Sequence, residues 1–480
     1  MLTEFVLIIS LFIAAILVKN PCTDLIQKAG GFSSKSICSA IFLSERDFDK
    51  HLEANELSTI PPFLAISEID HDAKLVKSYF VSKTLTNLLG LSVPTAIYLG
   101  PKLGCQLLHN YSAEHASYHA ATTDKTKPPS SALVRLEKTS KCVQSVIDRD
   151  FTPEGMDQNQ TRAVTVVHKK HIIAEGYQER MGISKDTKLL GWSMTKSVHS
   201  AIVGAAIQAG IFTLETPAAL KDVDPALRAE LVAMNGGRDI TIGDLLQMKD
   251  ILQIEENYSI LADISTMLYV ASDAGKFASN QRSKAVSPPS PSKKAATFGW
   301  YYSSGVSNVL ARELRDYFQD DEEYRAFPRT HLFSKIGADS FAMELDAAGT
   351  FVASSFAYAT ARDWARLGEL FLSNGSWEGQ QVLPAEFVEF VQAPHPHSGG
   401  HYGGHFWLNP ARVSGRKLWM TQALPADAYA MNGYLGQTTM IIPSRDLVIA
   451  RLGYTPDAPG SKVPKWDNHR FYTDILACIE

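Results

Sequence analysis

The chain has no C-x-x-C pair and no H-E-x-x-H, and its five cysteines, Cys22, Cys38, Cys105, Cys142 and Cys478, are scattered through 480 residues. No zinc site and no disulfide framework can be read from that spacing. An odd count leaves at least one thiol free, or all of them reduced. Excess positive charge is also missing: 46 Lys and Arg against 51 Asp and Glu leave a formal net charge of -5 at pH 7. That argues against nucleic acid as the main partner. Long hydrophobic runs are lacking, with one exception. Phe5 to Val18 reads FVLIISLFIAAILV, apolar but for Ser10, and is shorter than the ~17–25 residues of a bilayer span. It has the length of a signal-peptide core, yet no basic residue precedes it and no small-x-small cleavage site follows. Residues 1–20 are therefore expected to form a signal anchor, with the bulk of the chain exported and tied to a membrane by this one segment.

What is present is enough apolar material, 45% of residues, for a large core. The length fits about three domains or one two-lobed enzyme. After the anchor, residues 21–112 read as an N-terminal α/β prelude. Ala40 to Leu43 and Phe63 to Ile66 are strand-like, and Val81 to Leu91 is expected to continue that layer. Residues 113–131 are polar and rich in Pro, Ser and Lys, as in a linker. From 132 to 480 a second unit is expected. Ala163 to Val167 and Ile172 to Tyr177 flank HKKH as a hairpin. Helical patterns run from Ser193 to about Asn374, broken by a flexible Ser/Pro/Lys-rich insertion at 283–297. Strands return at His405 to Leu408, Thr438 to Ile442 and Leu447 to Leu452, and Asp474 to Ile479 closes as a helix. Strands at both ends with helices between give a mixed α/β (α+β), two-lobed reading: an antiparallel sheet flanked by helices, with an inserted, mostly helical lobe. His397, His401 and His405 sit on a Gly-rich loop read as a solvated substrate rim rather than a metal set. No metal and no organic cofactor is expected. N-x-S/T sequons occur at Asn110, Asn159, Asn257 and Asn374, which matter only in a glycosylating secretory route.

The stretch GWSMTKSVHSAIVGAAIQAG, from Gly191, carries the chemistry. Ala201, Ile202, Ala205, Ala206 and Ile207 recur at helical spacing, and Gly210 ends the run. Ser193 can cap the helix, but a cap does not explain Lys196, one turn on along the same face. Burying that charge is costly unless it is paired or neutralised. A lysine beside a serine hydroxyl is a base beside a nucleophile, and the helix N-terminus favours negative charge on the serine oxygen. Downstream, Tyr302-Ser303-Ser304 opens another helix, where Ser304 or Ser307 could act as its cap. Met431 to Gln437 reads MNGYLGQ, and its glycines allow a substrate close to the backbone.

Ser-x-x-Lys, Tyr-x-Ser and a Gly-rich strand opening, in this order, form the layout of penicillin-recognising serine hydrolases. The sequence resembles the class C β-lactamase-related serine hydrolases, and within them the 6-aminohexanoate-dimer hydrolase and esterase branch. ITIGDLLQM (from Ile240), YATARDWARLGELFLSNGSWEGQQVLP (from Tyr358) and MNGYLGQTTMIIPSRDLVIARLG (from Met431) carry the likeness. It runs from about Val134 to the C-terminus, and Ser36 to Leu108 is similar to the prelude of a bacterial subgroup. The resemblance implies a β-lactamase/transpeptidase-like fold and a serine hydrolase cleaving small esters or amides through an acyl-enzyme. It implies Ser193 as nucleophile, Lys196 as its base partner and Tyr302 as the proton relay to the leaving group. Ser304 would be the polar neighbour of Lys196, and the amides of Ser193 and Tyr434, with Gly433 beside them, would receive the oxyanion. Two departures stand out. Met431-Asn432-Gly433 replaces the family's Lys-Thr-Gly, removing a cation that attracts a substrate carboxylate and arguing against β-lactams and peptidoglycan. KDILQIEENY follows Met248 where relatives have a Ser-Gly-Leu turn. The alternative reading is a non-catalytic binding or filament-forming scaffold of the same fold.

Overall fold

The computed structural model describes residues 21–47, 64–108, 139–249, 252, 254–257, 259–281, 299–409, 424–455 and 466–479. The expected anchor (1–20), linker (113–131) and insertion (283–297) lie outside them. No helix among the described residues is long and apolar enough to cross a membrane. The chain divides into two units: 1–123 with 255–274 and 344–350, and 124–254 with 275–343 and 351–480. Two short stretches that the sequence reading placed in the hydrolase part thus group with the N-terminal unit.

In the first unit, α1 (Pro21–Cys38) packs on a four-stranded antiparallel sheet of β1 (Ile66–Asp70), β2 (Leu75–Tyr79), β3 (Thr95–Tyr98) and β4 (Cys105–Leu108). Two expectations fail here. Ala40 to Leu43 is no strand: Ser39–Leu43 continues α1 as a wider helical turn, because a short buried apolar run has no period to tell strand from helix. Within Val81 to Leu91 the chain forms a helix, α2 (Lys83–Leu88), as the Ser82 hydroxyl caps the Leu85 amide at 3.1 Å. A buried carboxylate organises this unit. Glu344 pairs with Lys35 and accepts the Ser39 hydroxyl and the Cys105 amide, each at 2.7 Å. A buried carboxylate needs such a set of donors. Beside it, burial pushes the Asp346 carboxyl up to about 7, opposed by the amides of Ala274, Thr350 and Ala348.

The second unit is built on a six-stranded antiparallel sheet. It combines β5 (Thr161–His168) and β6 (His171–Tyr177) with β12 (Trp407–Leu408), β13 (Tyr429–Gly433), β14 (Gln437–Ile442) and β15 (Leu447–Gly453). The spatial order is β12-β13-β14-β15-β5-β6. The hairpin read from HKKH is present: Lys169 and Lys170 both have positive φ, the two-residue turn that matches strand twist. Minor strands are β7 (Leu189–Leu190), β8 (Ala342–Met343), β9 (Ala357–Ala359), β10 (Ser376–Trp377) and β11 (Gln380–Gln381). The helices that matter below are α3 (Lys141–Asp148), α4 (Met194–Gln208), α5 (Ser304–Tyr317), α6 (Ala361–Leu372) and α7 (Asn468–Ala477). An antiparallel sheet flanked by helices is the arrangement expected from the sequence.

Four of the five cysteines pair, Cys38 with Cys105 and Cys142 with Cys478. No framework was legible because the partners are 67 and 336 residues apart, and only the fold makes them neighbours. Against the sheet, α6 approaches so closely that a β-carbon on Gly368 would lie 2.6 Å from a Val448 methyl. The next residue, Glu369, is buried, and burial raises its carboxyl to about 7. A carboxyl raised in the fold binds its proton more tightly there than in the unfolded chain. It is therefore harmless at low pH and costs stability as pH rises from about 4.5 through 7. Glu369→Gln is expected to stabilise the chain by about 1–3 kcal/mol at pH 8 and by little at pH 4, measured as denaturation midpoints at both pH values.

Candidate active site

Ser193 sits where β7 turns into α4, at the helix N-cap position. Its hydroxyl caps nothing. It accepts from Lys196 Nζ at 3.0 Å instead. The bend before it is tight: Trp192 has φ +48°, a left-handed conformation that is costly for a bulky residue. The Gly191 amide is tied to the Ala357 carbonyl (2.9 Å), and the Thr195 hydroxyl donates to the Trp192 carbonyl (2.6 Å) while accepting the Ala357 amide (2.9 Å). Such strain in the backbone is kept only where the surroundings impose it, as at other strand-to-helix elbows.

Lys196 is 1% exposed. Its Nζ lies 3.0 Å from each of three neutral oxygens: Ser193 Oγ, Ser304 Oγ and the Ser354 carbonyl. It also lies over the Tyr302 ring, 4.9 Å from the centroid. Ser304 is the first residue of α5, and the cap of that helix is Ser303, whose Oγ accepts the Val306 amide. Neither Ser304 nor Ser307 caps it, so the Ser304 hydroxyl is spent on Lys196. Ser354 was missed from sequence because it acts through its backbone, which carries no signal. Asn308 on α5 fixes it, accepting the Ser354 amide (3.3 Å) and donating to Ser354 Oγ (3.1 Å). The residues around Tyr302 are held from Met248 and the divergent segment after it: the Tyr301 amide donates to the Met248 carbonyl (3.3 Å), the Tyr301 hydroxyl to the Ile254 carbonyl (2.8 Å) and the Ser303 amide to Met248 Sδ (3.4 Å), while Lys249 reaches Asn235 and Asp244.

Gly433 ends β13 against the elbow that precedes Ser193. A β-carbon there would overlap the Gly191 carbonyl oxygen, so only glycine lets the two backbones meet. The Tyr434 and Trp192 rings cross edge-to-face at 5.7 Å. On the other side Tyr302 packs with Tyr402 (5.7 Å) and Trp407 (5.3 Å). The six residues named from sequence, Ser193, Lys196, Tyr302, Ser304, Gly433 and Tyr434, all belong to one unit.

The histidine loop is a solvated rim only at His397, which is exposed; His401 and His405 are buried, at 8% and 1%. His405 Nδ1 lies 3.1 Å from the Lys196 carbonyl, and its own carbonyl accepts the Ser197 hydroxyl at 2.6 Å. Burial pushes the rings of His405 and His199 down to about 3, so both are uncharged at neutral pH. His405 is thus a brace under α4, where a charged imidazole would oppose Lys196. Among the described residues, no three His, Cys, Asp or Glu side chains converge to hold a metal.

The Beta-lactamase family profile matches residues 149–472. The chain belongs to the Beta-lactamase family. It is a serine hydrolase of that family. A 6-aminohexanoate-dimer hydrolase of Paenarthrobacter ureafaciens is 25% identical over 340 residues, 68% of this chain and 80% of that protein. Among solved structures, a family VIII carboxylesterase superposes with a TM-score of 0.49 at 14% identity, covering 71% of this chain and 97% of the other. EstA from Arthrobacter nitroguajacolicus Rue61a gives 0.46 at 15% identity, covering 72% and 98%. In this Beta-lactamase family member Met431, fully buried, and the neutral Asn432 stand where the motif resembled above carries Lys and Thr.

Gly433→Ala is expected to push β13 off the elbow and lower kcat about 100-fold, since a displacement of roughly 1 Å at a reacting centre has that effect. Steady-state kinetics on a folded variant, with its melting curve alongside, checks this.

Proposed function

We propose that this Beta-lactamase family member hydrolyses small, neutral esters or amides through an acyl-enzyme on Ser193. The observation that carries the reading is Lys196 Nζ within 3.0 Å of both Ser193 Oγ and Ser304 Oγ. In its uncharged form Lys196 takes the Ser193 proton as Oγ bonds to the substrate carbonyl carbon. The carbonyl electrons move onto the oxygen, which the amides of Ser193 and Tyr434 receive. Collapse expels the leaving group, and Tyr302, whose ring covers Lys196, passes it the proton. Water then repeats the sequence on the acyl-enzyme and frees Ser193. Ser304 keeps the Lys196 amine oriented throughout.

The substrate class follows from charge. With Met431 buried and Asn432 neutral, the strand offers no cation for a carboxylate next to the scissile bond, and the walls are aromatic. This supports neutral acyl groups over penicillins, and a chromogenic cephalosporin is expected to turn over poorly. The relative named a 6-aminohexanoate-dimer hydrolase agrees with hydrolysis as the reaction type.

The decisive experiment is a short p-nitrophenyl ester with burst kinetics and intact mass. The native chain is expected to show a burst and one acyl adduct, and Ser193→Ala to lose both, with kcat down by about 10⁴ or more. A folded native chain without burst or adduct would favour the non-catalytic scaffold.

We further propose that the catalytic part works outside the cytoplasm, held to a membrane by residues 1–20. Two disulfides support an oxidising compartment. Alkylation of the native, unreduced chain is expected to modify one cysteine of the five, Cys22. Five modified cysteines in material from the native host would overturn the assignment.

A further inference from the structure

The short turn Tyr434–Gly436 joins β13 to β14 beside the nucleophile elbow. Leu435 and Gly436 both have left-handed backbone, φ +63° and +81°. Such a conformation at leucine persists only where the surroundings impose it. Here all three carbonyls of the turn are gripped from behind. Gln437 Nε2 donates to the carbonyls of Tyr434 (3.1 Å), Leu435 (3.2 Å) and Gly453 (2.6 Å), while its Oε1 accepts the Gly453 amide at 2.9 Å. The Thr455 amide also donates to the Leu435 carbonyl (2.9 Å). Arg451 Nη1 donates to the Gly436 carbonyl (2.8 Å).

Arg451 is 0% exposed, in the middle of β15. Its guanidinium fits because two neighbours lack side chains. A β-carbon on Gly436 would lie 2.6 Å from Nη1, and one on Gly453 would overlap the guanidinium. The remaining donors are spent on Thr161 Oγ1 (3.2 and 2.8 Å), the Asn159 carbonyl (2.7 Å) and Thr455 Oγ1 (3.0 Å). The Thr161 hydroxyl in turn donates to Asp150 at 2.7 Å, and Trp466 stacks on the guanidinium at 4.1 Å. Burial lowers the guanidinium to about 10, with Asp150 opposing, so it stays charged at neutral pH. A buried arginine is a poor way to fill a strand, since apolar residues of similar volume are as stable or more so. The neighbouring Val448, Ile449 and Leu452 are apolar and fully buried. What an aliphatic residue cannot do is hold a carbonyl in a fixed direction.

We propose that Arg451 and Gln437 are positioning residues that lock the Tyr434–Gly436 turn, so that the Tyr434 amide is already aimed at Ser193 when negative charge develops on the substrate oxygen. This rests on the acyl-enzyme reading above. An oxyanion donor is effective because it needs no reorientation during reaction. It bonds the tetrahedral oxygen more strongly than the ground-state carbonyl. Loosening the turn therefore acts on kcat, and KM stays where it was.

The test uses the full chain, with p-nitrophenyl butyrate as substrate and a fluorophosphonate as label. Gln437→Met keeps the side-chain volume and removes the amide. Arg451→Lys keeps the charge and removes the fork. Both are expected to lower kcat about 10–100-fold with KM within about twofold, and to slow fluorophosphonate labelling of Ser193 by a similar factor. The thionoester, whose sulfur is a weak acceptor, should lose far less than the oxygen ester. A purely structural clamp would lower only the melting temperature, or affect ester and thionoester alike, and either result overturns the proposal. Should Arg451→Lys fail to fold, Gln437→Met decides. Absence of labelling in the native chain would instead overturn the acyl-enzyme reading, and this proposal with it.

Discussion

The site hangs on one lysine nitrogen. Lys196 Nζ reaches the hydroxyl of Ser193, the hydroxyl of Ser304 and the carbonyl of Ser354, each at 3.0 Å, and these come from three separate parts of the chain. Removing any of the three would cost a buried hydrogen bond, which is worth more than a surface one. The start of α4, the start of α5 and the approach to β9 are therefore locked to one point. Asn308 secures the third contact by holding Ser354 at both its amide and its hydroxyl. Lys196 is thus a structural tie that helps to place the Ser193 hydroxyl.

Much of this was legible because chemistry and periodicity coincide. A lysine at an apolar helix start breaks the burial pattern, and that break pointed to Lys196 and through it to Ser193. The HKKH turn and the C-terminal strands were readable from alternation and turn residues. Less legible was anything decided by tertiary contact. Ala40 to Leu43 has strand-like residues but extends α1, and within Val81 to Leu91 a serine cap outweighs the β-branched start. The disulfide partners are too far apart in sequence to pair on paper. His405 looked like one more polar loop residue, yet it packs beneath Lys196 with φ +64°. Ser354 contributes only a peptide oxygen, which every residue has.

The first unit solves burial differently. Glu344, 0% exposed, gathers Lys35, the Ser39 hydroxyl and the Cys105 amide, and the disulfide joins Cys105 itself to Cys38, the residue before Ser39. A cross-link and a satisfied ion pair thus anchor the same few residues. Breaking such a pair leaves an uncompensated charge in the core. This unit is fastened from a stretch of chain more than two hundred residues downstream of its sheet.

The pairing of β15 with β5, Leu447 opposite His168 through to Ala163 opposite Leu452, has a consequence for the order of assembly on the ribosome. The hairpin of β5 and β6, two of the six strands, waits with its β5 edge open until residues 447–453 have been made. Ser193, Lys196 and Tyr302 all emerge during that wait, and Gly433 only near its end. Non-local closure of this kind is slow, and an open edge invites mispairing. It also means that a chain terminated before residue 429 carries Ser193 and Lys196 without the Gly433 backbone that packs against Gly191.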